Sequence, residues 1–339
     1  MKTKKRSIGF TVRIAVIITM MLLLSTACSN PAGNGDTYTH NFIDGVFTGS
    51  ISANATTIPF HDATCTTCGT IGIRQLVPNW IIDLATATAD YQGTVTLNAQ
   101  AGDIVLIKGS NPSQRAIVIN NATEIYIAND TVISGTGPSG SITRPALQVP
   151  ANTTIYGGGS GITISGGVYD AGIRGNGDLT ISGVMGNITG GNPYLGLGGQ
   201  PAIRADNTGA TLTINGIVGD LTGGVGRLAS MGGVTGPRNA GPGIQAVHLV
   251  ISGTTGTISG GDFTVENETG NAGHGIVINS TSGTISITED AVIGDMTAAS
   301  IQGGTTVGTG NNGSQIQLGL STNLFNDWNG SASLPYTKP

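Results

Sequence analysis

The sequence predicts an all-β chain wound as a right-handed parallel β-helix, with three short strands per coil and roughly seven to eight coils. Three observations carry the expectation. Glycine contributes 56 of 339 residues, while only 10% are charged and 4% aromatic. That is more than twice the usual glycine share of roughly 7%, and Thr, Ile and Asn are also abundant, as in short strands joined by tight turns. Second, Leu179–Gly191, Leu212–Gly224 and Leu249–Gly261 align without gaps on the pattern L-[TV]-I-[SN]-G-x-x-G-x-[IL]-[TS]-G-G. Third, an aliphatic anchor recurs upstream of these copies at Ile117, Leu147, Ile173, Ile203, Ile244 and Ile276, spaced 30, 26, 30, 41 and 32 residues apart. Collagen is excluded because no G-X-Y period exists. Long disorder is excluded by 38% hydrophobic content at low charge.

In chain order, residues 1–27 read as a signal. Lys2, Lys4, Lys5 and Arg6 precede the apolar run Ile14–Leu24, which as a helix is about half the hydrocarbon thickness and so too short to span it. The run ends in Leu24-Ser25-Thr26-Ala27-Cys28. This resembles the lipobox of bacterial lipoproteins, which implies lipidation of Cys28 and a membrane attachment through lipid. Ser25 stands where Leu is commoner in that family. Ser29, and not Asp, follows the cysteine, which implies an outer-membrane or cell-surface destination in a Gram-negative cell. Removing 1–27 takes five of the 14 basic residues and none of the 19 acids, so the net charge moves from −5 to −10. No Lys or Arg lies between Arg238 and Lys338. Nucleic acid is not an expected partner. Residues 28–36 form a flexible tether.

Residues 37–93 are read as an N-terminal region and cap. Cys65-Thr66-Thr67-Cys68 is C-x-x-C in an exported chain, where a local disulfide is the plainest reading. A redox pair, a metal site with His61, and haem attachment stay open behind it, each lacking a partner residue or context. Apolar residues at 81, 82, 84, 85 and 89 behind Pro78 predict a capping helix over Asn79–Tyr91.

Residues 94–320 are the predicted coils. Alternation in Leu-Thr-Ile at 179–181, Ile-Tyr-Ile at 125–127 and Ile-Ser-Ile at 285–287 is strand-like. One coil cannot bury its inner face alone, so stacked coils should align the six anchors in one aliphatic column about 4.8 Å apart. Asn121, Asn152, Asn176, Asn207 and Asn279 follow their anchors by three to five residues and predict an amide ladder. Arg227–Gly241 is an insertion expected to project as a loop. Residues 321–339, with Leu324, Phe325 and Trp328, are the candidate C-terminal cap or tail.

This organisation resembles the pectate-lyase-like superfamily and the β-helical carbohydrate-binding surface proteins of bacteria. The resemblance implies polysaccharide as ligand. Gly273-His274-Gly275-Ile276 is similar to the GHG-I stretch of polygalacturonase-type hydrolases. The companions of that stretch are missing: Gly209 follows Asn207-Thr208, there is no Asp-Asp pair, and no base follows until Lys338. His274 therefore reads as a turn or solvent-facing residue. Arg174 and Arg204 share the position after their anchors and should stack on one face, with Asp170, Asp178 and Asp206 nearby. Two adjacent guanidiniums suit a carboxylate or sulfate. Glu266, Glu268, Glu289 and Asp290 read as a solvated acidic face, so calcium has no supported ligand set and no cofactor is expected. The resulting expectation is a surface-anchored, non-enzymatic binding or structural module directed at carbohydrate, an adhesin in character, with Arg174, Arg204, Asp170 and Asp178 as its site. Its alternatives are a lyase or hydrolase of acidic polysaccharide and a self-associating matrix protein.

Overall fold

A computed structural model describes residues 41–90, 93–110, 116–135, 144–168, 170–192, 198–227, 239–265, 271–280, 282–288, 290–297, 301–303, 316–318 and 323–325. Among the described residues there are strands and turns and no α-helix. The chain divides into two compact units, 1–46 with 60–74, and 47–59 with 75–339.

The smaller unit holds Phe42–Ile43 and most of Ile58–Cys65 and Ile71–Leu76, which form a three-stranded sheet. The first two strands run antiparallel, with Phe42 opposite Cys65. Arg74 lies over the Phe60 ring, 5.9 Å from its centroid. Cys65 is buried on its strand and Cys68 is exposed in the following turn. Gly69 N–H donates to the Cys65 carbonyl and Cys65 N–H to the Thr70 carbonyl. The hairpin thus closes on its own hydrogen bonds.

In the larger unit, long parallel sheets carry the fold. One nine-stranded sheet contains Thr94–Asn98, Ala116–Asn120, Leu147–Val149, Ile173–Gly175, Ile203–Ala205, Ile244–Ala246, Ile276–Ile278, Ile316–Leu318 and Asn323–Phe325. The anchors face one another in strict succession: Ile117 with Leu147, Leu147 with Ile173, Ile173 with Ile203, Ile203 with Ile244, and Ile244 with Ile276. The same backbone register continues at both ends, Val95 opposite Ile117 and Ile316 opposite Ile276. All six anchors are fully buried, and each such side chain contributes about 1.5–3 kcal/mol on leaving water. A fifteen-stranded sheet holds the repeat in the same manner. Leu179, Leu212, Leu249 and Ile285 pair in sequence, as do Ile181, Ile214, Ile251 and Ile287. The gap-free alignment of the three copies is therefore the register of the strands, because a slip of one residue would turn every aliphatic side chain outward.

Several expectations are corrected. Where a capping helix was expected over Asn79–Tyr91, the described residues 79–90 form none: Trp80–Asp83 is a strand in register with Val105–Lys108, and turns follow it. Pairing with the next strand wins there because Asn79 accepts the Ile104 N–H at 2.8 Å and Trp80 Nε1 donates to Asp103 at 2.7 Å. The Gln100 N–H first, and then the Trp80 indole, hold the Asp103 carboxyl below its ordinary value. The parallel ladder accordingly begins at Trp80, not at Thr94. Of the asparagines expected as an amide ladder, Asn121 bonds to the level before it, its Nδ2 donating to the Ala99 carbonyl at 3.4 Å. Asn121 and Asn152 occupy left-handed backbone positions, with φ of 68° and 58°, which asparagine tolerates better than most residues. Further bonds between levels are accepted by side-chain oxygens: Asn129 from Gly161 N–H, Asn187 from Asp220 N–H and Asp220 from Thr257 N–H, at 2.8–3.0 Å. Asn323–Phe325 pairs antiparallel with Ile316–Leu318, ending the parallel ladder where a terminal cap was expected. Trp328 and residues 228–238 of the insertion lie outside the described residues.

The outer side of the second sheet is crossed by the segment that starts at Phe47. Ile51 N–H donates to the Gly158 carbonyl at 2.9 Å, and the Ile51 carbonyl accepts Asn129 N–H at 2.8 Å. Phe47 meets Tyr126 and Tyr156 edge-on at 5.4 and 5.6 Å, while those two rings stack at 4.6 Å. Glycine at 158 makes room, since a Cβ there would meet the Ile51 side chain at 2.7 Å.

Candidate functional site

The site grows out of the three-residue strands of the anchor sheet. Each buries its first and third residues and turns the second outward. The second residues are Gln148, Arg174, Arg204 and Gln245, and they are direct neighbours: Gln148 beside Arg174, Arg174 beside Arg204, Arg204 beside Gln245. Parallel strands lie about 4.8 Å apart, so the four side chains form a polar row about 14 Å long.

Two carboxylates organise the row. Asp206 accepts Arg204 Nε at 2.9 Å on one oxygen, and Nη2 at 2.9 Å on the other. The second oxygen also accepts the Gln245 amide at 3.0 Å. This fork holds the Arg204 guanidinium charged, its pKa raised first of all by the bond to Asp206. Asp170 is 5% exposed and uses Oδ1 to accept the Ala171 N–H at 2.8 Å. Its Oδ2 lies 3.5 Å from Arg174 Nη1. Arg174 is the more open of the two arginines, with 37% of its side chain exposed. Only one of its nitrogens is within reach of Asp170, which leaves further guanidinium donors on the surface.

The expected stacking of Arg174 and Arg204 is thus present, and Asp170 belongs with them. Asp178 does not. Its Oδ1 accepts the Thr211 N–H at 2.8 Å, so it ties one level to the next at a corner, as Asp220 does. Sequence reasoning missed Gln148 and Gln245 as members of the row. Their signal was available, because each follows its anchor, Leu147 or Ile244, as the arginines follow theirs. Asp206, noted beside Arg204, proves to be the hub.

The chain was compared with known protein families, curated proteins and solved structures. It matches none of them. Chemistry must therefore be argued from the side chains alone. His274 is half-buried, and its carbonyl accepts the Gly243 N–H at 3.1 Å. His61 lies on the strand of the smaller unit and bridges Val46 through the backbone. Among the described residues, no three His, Cys, Asp or Glu side chains gather as a metal site. Glu266, Glu268 and Glu289 lie outside the described residues, so the acidic face expected with Asp290 has no structural description.

Proposed function

We propose that this chain is an exported, lipid-anchored right-handed β-helix of roughly seven to eight coils that binds polysaccharide without cleaving it. The observation that carries the binding reading is the outward row Gln148–Arg174–Arg204–Gln245 with its carboxylates. Planar amide and guanidinium groups on a rigid sheet can engage several sugar hydroxyls at once, with little ordering cost on binding. Right-handed winding is supported by the general handedness of parallel strand connections. The lipid reading rests on the basic start, the short apolar run and Cys28. The pectate-lyase-like likeness is supported by the parallel all-β architecture alone, and so extends to fold and not to activity.

Purified 29–339 should be retained by a polysaccharide on a glycan array, and Arg174→Ala should weaken that retention about tenfold. Release of unsaturated or reducing ends from pectin or alginate would show instead that the chain is an enzyme. Expression with residues 1–28 intact should yield a membrane-associated form carrying acyl chains on Cys28, detectable by mass spectrometry. The Cys28→Ala form should be soluble.

A further inference from the structure

We infer that the row on the anchor sheet reads neutral, hydroxyl-rich glycan chains and does not act as an anion clamp. This rests on the carbohydrate-binding reading above and specifies its ligand. Two guanidiniums side by side suggest a carboxylate or sulfate when the sequence is taken alone. The structure supplies each with an acid: Asp206 forks onto Arg204 with both oxygens, and Asp170 sits 3.5 Å from Arg174. Two positive and two negative groups therefore share the row, and its local charge is zero.

Nothing further along the chain restores a positive field. Residues 239–337 contain neither Lys nor Arg, and the whole chain is net −5, or −10 without residues 1–27. A polyanion approaching this face is repelled at long range and finds no compensating excess of cations. What the row retains is directional hydrogen bonding. Arg174 keeps exposed donors, the Gln148 amide stands on the adjacent strand, and Gln245 continues beyond Arg204 with its amide held by Asp206. The pairing with acids fixes the guanidinium planes, so their remaining N–H groups point at defined places on the surface. A ligand accepting from groups spread over four strands, about 14 Å, is an oligosaccharide laid across the strands.

The test is retention of 29–339 on neutral and acidic polysaccharides, at about 50 and about 500 mM sodium chloride. These conditions bracket physiological screening. Galactomannan, xyloglucan and a β-glucan serve as neutral probes; polygalacturonate, alginate and heparin serve as acidic ones. Expected is retention by at least one neutral polymer, changed less than about twofold by salt because no counterions are released. Arg174→Ala and Gln148→Ala should each weaken it about tenfold. Arg174→Lys keeps the charge and loses the fork, so it should behave as Arg174→Ala does. Far-UV circular dichroism and the thermal midpoint of each variant separate lost binding from lost folding. Retention confined to acidic polymers and removed by salt overturns the inference while leaving carbohydrate binding intact. So does full binding by Arg174→Lys, or neutral binding indifferent to both substitutions. If no polymer is retained at all, the underlying reading fails as well.

Discussion

A methyl group at Gly224 would run into the backbone of Gly191, its counterpart one level earlier, and Gly261 stands in the same relation to Gly224. The glycine pairs that close each thirteen-residue repeat thus mark a corner where backbone packs on backbone. Gly241 N–H donates to the Gly224 carbonyl, and Gly261 N–H to that of Gly241, each at 2.8 Å. Overpacking of this kind costs about 1–3 kcal/mol, so Gly224→Ala should lower the unfolding free energy by that amount in urea titration. Gly209 makes the opposite case. It has φ of +76° and open space around it; Gly209→Asn should change stability by less than about 1 kcal/mol, as asparagine enters this region readily. A third residue-scale prediction concerns Tyr156, whose pKa is raised above 10.0 by burial and by the nearby Glu124 carboxylate. A raised folded pKa means that the folded state holds the proton more tightly. The associated stability is complete below the ordinary tyrosine pKa and is lost as pH rises through the folded one. Alkaline unfolding curves should therefore fall less steeply above pH about 10 for Tyr156→Phe than for the parent chain.

The segment Phe47–Ile51 is the element that depends most on long-range contacts. It hydrogen-bonds to strands at Asn129 and Gly158 and lays Phe47 against two stacked tyrosines. Because Phe47 excludes water from those rings, Phe47→Ala should move the Tyr156 titration back toward its ordinary value, read as the phenolate absorbance between pH 9 and 12. An unchanged titration in that variant would mean that the strands alone bury Tyr156. This segment also shows where the sequence was silent. The anchors and the repeat could be read directly, because stacking equivalent residues leaves a period in the chain and the period is the register. Phe47, Gly158 and Tyr126 belong to no repeat, so nothing in their spacing reports that they meet. Trp80–Asp83 misled for a related reason. Its apolar residues suit a helix, and its strand conformation is imposed by the neighbouring strand Ile104–Lys108, a tertiary effect that local preference does not contain. The site was half legible on the same principle. Arg174 and Arg204 declared themselves by position, whereas the division of labour between Asp206 and Asp178 depends on which way each carboxylate turns at a corner.

At the scale of the larger unit, each level pairs with the one before it and the one after it. Stability in such an arrangement is approximately a sum of level and neighbour terms, and register makes one level interchangeable with the next. Deleting residues 179–211 joins Asp178 to Leu212 and sets Leu212 where Leu179 stood, against Thr153, with Ile214 against Ile155. It also brings Ile244 onto Ile173 and Gln245 beside Arg174. The shortened chain should therefore fold, with a strand-type far-UV circular dichroism spectrum and a cooperative thermal transition below that of the parent. Deleting 179–194 removes half a level: it takes away Leu179–Met185 and Ile188–Thr189 but keeps Ile203–Ala205, which can then no longer be carried round to pair with Ile173–Gly175, so this chain should aggregate or be cleaved by trypsin faster than the parent. The in-register deletion also removes Arg204 and Asp206 while sparing Gln148, Arg174 and Gln245. If the polar row is the binding surface, the folded deletion variant should lose most of its polysaccharide retention. Equal failure of both deletions to fold would mean that the levels are not interchangeable and that stability resides in contacts the repeat does not describe.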